Sequence, residues 1–379
     1  MRRSTERILT THTGSLPRPP ALAQMLVARE TGQAYDTATF EEAIAKAVTD
    51  TVQKQRETGL DVIHDGEMSK FFYATYIKER LTGFDGESIT KPVRDTVDFP
   101  EYYERHTNPS RAVRRTPACT GPIAYRGEAE LQRDLDNIAK ATGGGTDEVF
   151  MSAASPGVVA CFIENQHYPS AEAYVYAVAE AMKTEYDAIH RAGLMLQLDC
   201  PDLAMGRHFL FGADEEGLHL KNAELNVEAM NHALADIPAE SLRMHLCWGN
   251  YEGPHTWDVP LGKMIDIVLK AKPMGISLEG SNPRHGHEWS VFRETKLPEG
   301  KLVIPGVIDS VSNFVEHPEL VAQRIQNYAR VVGRENVIAG VDCGFGTSAV
   351  SNKVDSRIAW AKLAALVEGA RLASRQLWS

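Results

Sequence analysis

Short apolar runs that finish in polar residues alternate with helical stretches along most of the chain. The runs span 61–67, 149–156, 194–201, 242–249, 276–281, 302–309 and 337–346. Between them, residues 40–58 carry apolar side chains at Phe40, Ala43, Ile44, Ala47, Val48 and Val52, the spacing of one helix face. Residues 171–192, 218–234, 261–272, 318–332 and 356–375 repeat that spacing. Strand runs alternating with helices predict a parallel sheet covered by helices. About eight such units, with no Gly-x-Gly-x-x-Gly after the first strand, predict an α/β fold of the single (β/α)8 TIM-barrel type over residues 1–379, rather than a doubly wound sheet. Counting 10–16 and 118–125 there are nine candidate strands, so one is accessory.

Residues 82–147 break the rhythm. Pro92, Pro100, Pro109 and Pro117 and the basic group Arg111, Arg114 and Arg115 fall here. The segment reads as an insertion after the second strand, either a cover for the barrel mouth or a surface excursion.

Composition narrows the function classes. With 40 basic against 51 acidic side chains the net charge is −11, and no basic footprint for nucleic acid or an anionic membrane is evident. No apolar run reaches the ~18 residues of a membrane span. The charged start, Met1 to Arg7, lacks the apolar core of a signal peptide, so a cytoplasmic location is expected. Five cysteines without a signal peptide read as reduced thiols: Cys119, Cys161, Cys200, Cys247 and Cys343.

Strand runs end repeatedly in chemistry-bearing residues: Glu67, Asp199, His245, Cys247, Glu279, Asp309, Asp342 and Cys343. The C-terminal ends of barrel strands are where such folds build active sites. On a strand, His245 and Cys247 point to the same side. With Cys343 and Glu279 they make an N, S, S, O set suited to tetrahedral Zn2+ with one displaceable ligand. Cys119, Cys161 and Cys200 read as packing residues. The loop pair His285 and His287 reads more readily as a polar loop near substrate than as a second metal site.

These motifs also carry a family resemblance. Thr13-Gly14-Ser15-Leu16-Pro17, His64-Asp65-Gly66-Glu67, Leu196-Gln197-Leu198-Asp199, His245-Leu246-Cys247, Ile276-Ser277-Leu278-Glu279, Gly306-Val307-Ile308-Asp309 and Asp342-Cys343-Gly344 resemble, in order, the catalytic zinc barrel of cobalamin-independent methionine synthases. That family includes epoxyalkane:coenzyme M transferases and corrinoid-linked methyltransferases. The match runs from about residue 8 to the end, poorly over 82–147. The resemblance implies that His245, Cys247 and Cys343 are permanent zinc ligands and that Glu279 is a fourth that loosens when thiol binds. It implies that Glu67 and Asp199 hold the amino group of homocysteine and that Gly14 and Ser15 hold its carboxylate. Asp309 joins Glu67 and Asp199 as a catalytic carboxylate at the mouth, and His12 and Arg284 are further candidates for substrate contact.

Two departures bear on the donor. The chain has no room for the second barrel of folate-using members, and Val311 stands where the family has a proton-transferring histidine in Asp-x-His-Ser. Both favour a donor whose leaving group needs no proton, such as a methylcorrinoid or a sulfonium. The expected activity is a zinc-dependent S-methyltransferase acting on homocysteine or a related aminothiol, like 5-methyltetrahydropteroyltriglutamate–homocysteine methyltransferase. Addition of another zinc-bound thiol to an epoxide is the alternative, and a zinc hydrolase or lyase a weaker one. The partners expected are a small thiol and an alkyl donor. A homo-oligomer or a corrinoid-protein donor stays open.

Overall fold

The computed structural model describes residues 1–379 except 90–92, 106–115, 209, 213 and 351–352. Six parallel strands form one curled sheet in the order β2 (Val62–Ile63), β5 (Glu148–Ala154), β6 (Met195–Asp199), β7 (Leu242–Leu246), β8 (Gly275–Leu278) and β9 (Leu302–Pro305). A second parallel pair joins β1 (Leu9–Thr10) to β10 (Ile338–Ala339). Hydrogen bonds link this pair to both edges of the six. The Asp61 N–H donates to the Thr10 carbonyl on one side, and the Gly340 N–H donates to the Pro305 carbonyl on the other, at 3.1 and 3.0 Å.

The accessory strand among the nine is Ala118–Cys119 (β4). It pairs antiparallel with β3 (Phe84–Asp85), away from the parallel sheet. The strands are also shorter than the apolar runs that signalled them. Glu67, Cys247, Glu279, Asp309 and Cys343 fall beyond the ladders, while Asp199 and His245 stay within them.

Helices cover the outer face. Helix Thr37–Thr58 starts where the Asp36 side chain accepts from the Thr39 N–H at 2.7 Å, and it buries Phe40, Ile44, Ala47, Val48 and Val52. Ser170 caps Ala171–Arg191 in the same way. Unsatisfied N–H groups of a first turn explain why such side chains mark helix starts. Helices Pro20–Thr31 and Glu128–Thr142 have no counterpart among the stretches read from spacing. Within 82–147, the short helix Arg94–Asp98 docks on the loop after β7. There Asp95 accepts from the Tyr251 hydroxyl, the His255 N–H and the Thr256 hydroxyl at 2.6, 2.7 and 2.9 Å. The basic group at 111–115 lies outside the described residues. Among the described residues no helix is long and apolar enough to cross a membrane.

Alternation along the strands sorts the two faces. Leu196, Leu198, Met244, Leu246, Ile276 and Leu278 join the core under the helices. Gln197, Arg243 and Ser277 are buried on the other face, where polar groups must find one another. Arg243 does so by donating to the Thr11 hydroxyl and the His12 carbonyl, both at 2.9 Å, with its guanidinium over Phe150.

Candidate metal centre and substrate pocket

Strand register assembles the centre. It sets Asp199 opposite His245 and His245 opposite Ser277, so one row crosses three strand ends. Cys247 lies two residues beyond His245, and Cys343 follows β10. The structure brings His245, Cys247 and Cys343 together, with one donor atom from each within 4.8 Å of the others. The two sulfurs are 3.7 Å apart.

Three features fit a thiophilic cation here. His245 Nδ1 faces the Ser277 hydroxyl at 3.4 Å, while its Nε2 is buried with no hydrogen-bond partner. Burial, with Arg243 nearby, lowers His245 to about 3 and keeps the ring neutral, the form that ligates metals. The hydrogen bond shared with Cys343 and burial push the Cys247 thiol well above its ordinary range, so a cation is needed to hold it as thiolate.

Glu279 borders this trio and shares a side-chain hydrogen bond with Cys247. Its Oε1 accepts from the Trp248 N–H at 2.8 Å and its Oε2 from the Asn282 amide at 2.7 Å. Burial and Cys247 raise its pKa. Asp342 fixes the loop that holds it, accepting from the N–H groups of Gly280, Ser281 and Asn282 and from the Ser281 hydroxyl, each at 2.9 Å. Gly306 permits this, since a Cβ there would sit 2.1 Å from Asp342 Oδ1.

The substrate-side candidates are placed as follows. Glu67 is buried at φ +57°, a left-handed conformation unusual for a residue with a side chain. Its Oε1 pairs with Lys70 Nζ at 3.2 Å, and its Oε2 is buried without a partner. Asp199 Oδ1 accepts from Gln197 at 2.9 Å, and burial together with the Glu67 charge raises its pKa. Gly14 has φ +132°, and a Cβ there would lie 2.7 Å from the Ser152 hydroxyl oxygen, so the first turn needs glycine. The Gly14 N–H donates to His12 Nδ1 at 3.2 Å, and His12 Nε2 bonds Gln55 at 2.7 Å, so both His12 nitrogens are engaged within the protein. The Ser15 carbonyl accepts from the Phe345 N–H at 3.0 Å, tying the turn to the loop of Cys343. Asp309 is half-buried, and its Oδ1 accepts from the Val311 N–H at 3.0 Å. Arg284 is exposed. His285 is buried and His287 exposed, so that pair does not converge. Cys200 turns away from Asp199, its sulfur 3.6 Å from Met230 Sδ.

Two lysines near the centre escaped the sequence reading. Lys70 donates to the Ser152 carbonyl at 2.8 Å besides pairing with Glu67. Its position three residues beyond Glu67 is the only sequence signal it has. Lys353 donates to the Asn250 carbonyl. Burial lowers it to about 8, against the opposing pull of Cys343 and Cys247. It lies in an irregular loop and left no pattern.

Comparison with known proteins accords with this geometry. The profile of the family described as "Cobalamin-independent synthase, Catalytic domain" matches residues 8–95 and 158–370. A methionine synthase of Saccharolobus solfataricus is 26% identical over 97% of this chain and 95% of its own. The uncharacterized protein YxjH of Bacillus subtilis is 27% identical over 85% of this chain and 83% of its own. In fold, the chain resembles a B12-independent methionine synthase from Shewanella, with TM-score 0.72 and 20% identity, covering 98% of this chain and 99% of that one. The matched segments include every strand-end residue gathered at the mouth, and by that match the chain belongs to the cobalamin-independent methionine synthase family.

Proposed function

We propose that the protein is a zinc-dependent transferase that moves a methyl or related alkyl group onto a thiol, with homocysteine or a similar aminothiol as acceptor. The observation that carries this is the convergence of His245, whose buried Nε2 lacks a hydrogen-bond partner, with the sulfurs of Cys247 and Cys343 beside Glu279. Methionine synthases among the relatives, spanning nearly the whole chain, support the substrate class.

His245, Cys247 and Cys343 would hold the ion, with Glu279 as a fourth ligand. Zinc supplies the means to keep an acceptor thiol deprotonated at neutral pH, where a free thiol near pKa ~8.5 is mostly protonated. Glu279 has partners of its own in the Trp248 N–H and Asn282, so its carboxylate would stay hydrogen-bonded whether or not it held the ion. Glu67 and Asp199 face the acceptor's amine, and Gly14 and Ser15 its carboxylate. The acceptor sulfur attacks the alkyl carbon in line, and the leaving group departs with the bonding electron pair. Val311 offers no proton there, which favours donors such as a methylcorrinoid or a sulfonium. The protein's own part is orientation of the two reactants.

One observation favours a second reading. Lys70 holds Glu67 at 3.2 Å, so an ammonium already stands at the acid meant for the substrate amine. An acceptor with an anionic group and no amine, adding to an epoxide or similar electrophile, would suit that arrangement. A matrix of thiols against alkyl donors on zinc-loaded protein decides between them. The first reading expects homocysteine to outrank amine-free thiols. A preference for a sulfonate or carboxylate thiol supports the second, and no transfer with any pair overturns both.

We also read β1, β2 and β5 to β10 as a (β/α)8 barrel with 82–147 as its insertion. Hydrogen bonds at both junctions of the β1–β10 pair support this reading.

A further inference from the structure

The loops leaving β6, β7 and β8 gather a second group of ligand-type residues. Asp258 Oδ1 lies 2.6 Å from His208 Nε2 and 3.2 Å from His255 Nδ1. His208, His255 and Asp258 each offer a donor atom within 4.8 Å of the others, and all three side chains are nearly inaccessible to solvent. None of them belongs to the thiolate centre.

Proton accounting in this group is unusual. His255 Nε2 faces the Tyr251 carbonyl at 2.9 Å, and a carbonyl only accepts, so that nitrogen carries a hydrogen. The opposite nitrogen of a neutral ring is then a lone pair. Yet Nδ1 faces the Asp258 carboxylate, which also only accepts. The facing pair therefore requires either a second proton on a buried ring or a cation between ring and carboxylate. His255 Nδ1 lies against both Asp258 oxygens, at 3.2 Å from Oδ1 and 3.1 Å from Oδ2, and Oδ1 also faces His208.

The surroundings match the outer partners that orient metal-binding side chains. The Tyr251 carbonyl fixes His255. The other Asp258 oxygen accepts from His285 Nε2 at 2.8 Å, and His285 Nδ1 bonds Glu288 at 2.7 Å. With a carboxylate at each ring nitrogen, His285 serves as a donor to Asp258 and not as a ligand. His255 adopts φ +53°, and Asp95 from the 82–147 segment receives its N–H. Such conformations persist where the surroundings enforce them.

We propose that His208, His255 and Asp258 form a second metal site, for a divalent first-row transition ion, whose carboxylate is held in place by His285. Two imidazoles and one carboxylate are a set that such ions take. The ion would cross-link the loops after β6 and β7, on which the Arg94–Asp98 helix rests. This site stands independently of the reading given to the thiolate centre.

Cobalt(II) titration of the metal-free full-length chain tests it. The expected result is two equivalents per chain retained through gel filtration. One brings thiolate-to-cobalt charge-transfer absorption and the other only ligand-field bands. The Cys247→Ser/Cys343→Ser variant should keep one equivalent without charge transfer, and His208→Gln/Asp258→Asn should keep one with it. A wild-type chain that holds only the charge-transfer equivalent, or a His208→Gln/Asp258→Asn chain that still holds two, overturns the proposal. The wild-type stoichiometry decides even if the latter variant fails to fold. Loss of the charge-transfer equivalent alone would count against the thiolate centre and leave the second site standing.

Discussion

Replacing Lys70 by methionine should shift the enzyme towards amine-bearing thiols. Lys70 Nζ pairs with Glu67 at 3.2 Å and donates to the Ser152 carbonyl at 2.8 Å, in a pocket that excludes solvent. Lys70→Met keeps the aliphatic stem and removes the charge. Glu67 and Asp199 are then left as two buried acids without their cation, a change that costs roughly 3–5 kcal/mol when one partner of a buried pair is removed. A substrate ammonium can restore one charged hydrogen bond to Glu67, worth about 1.5–3 kcal/mol. That corresponds to about ten- to a hundredfold in kcat/KM for an aminothiol relative to one that lacks the amine. The assay is direct competition between homocysteine and 4-mercaptobutyrate, its amine-free counterpart, with product ratios read by mass spectrometry. Homocysteine should also raise the variant's melting temperature more than the wild type's. An unchanged product ratio would show that Lys70 lies outside the thiol's environment and would refute the reasoning.

Two further perturbations test other parts of the account. Asp342→Asn removes acceptor capacity from the loop that carries Glu279 and Asn282, so alkyl transfer should fall about ten- to a hundredfold while thiolate-bound metal is retained. Metal loss in that variant would assign Asp342 a different role. His12 titrates at about 3 in the folded chain, because burial and then His64 oppose its charge, against ~6.5 unfolded. Only the unfolded chain gains this proton between those values, so the stability His12 contributes is complete above pH 6.5 and drains as pH falls towards 3. The loss should reach about 2 kcal/mol by pH 5, measured by urea unfolding. His12→Gln should flatten that slope, and an identical slope in the variant would contradict it.

How much of this was legible in the sequence follows from how each residue is positioned. The alternation of Leu196, Gln197, Leu198 and Asp199 gives both the strand and its inward face, because period two is set by the backbone itself. His245 and Cys247 were legible for the same reason. Cys343 and Glu279 were legible as strand-end residues, and Glu279 reaches the trio through its hydrogen bond with Cys247. Lys70 and Lys353 were not, since turns and irregular loops bring them in and no periodicity records such paths. His285 stood out as a residue type, but its partner turned out to be Asp258, a residue that local spacing cannot connect to either His208 or His285. Helix Glu128–Thr142 escaped because it falls inside the stretch read as an insertion, although its buried Leu131, Leu135 and Ile138 keep helical spacing.

The claim that the thiolate centre takes up the acceptor is tested most directly by zinc-edge X-ray absorption on protein loaded with one equivalent of zinc, before and after adding thiol. The account predicts one additional sulfur scatterer and one fewer light-atom scatterer, as the thiol displaces Glu279. A coordination sphere unchanged by homocysteine and by every other thiol in the activity matrix would contradict it.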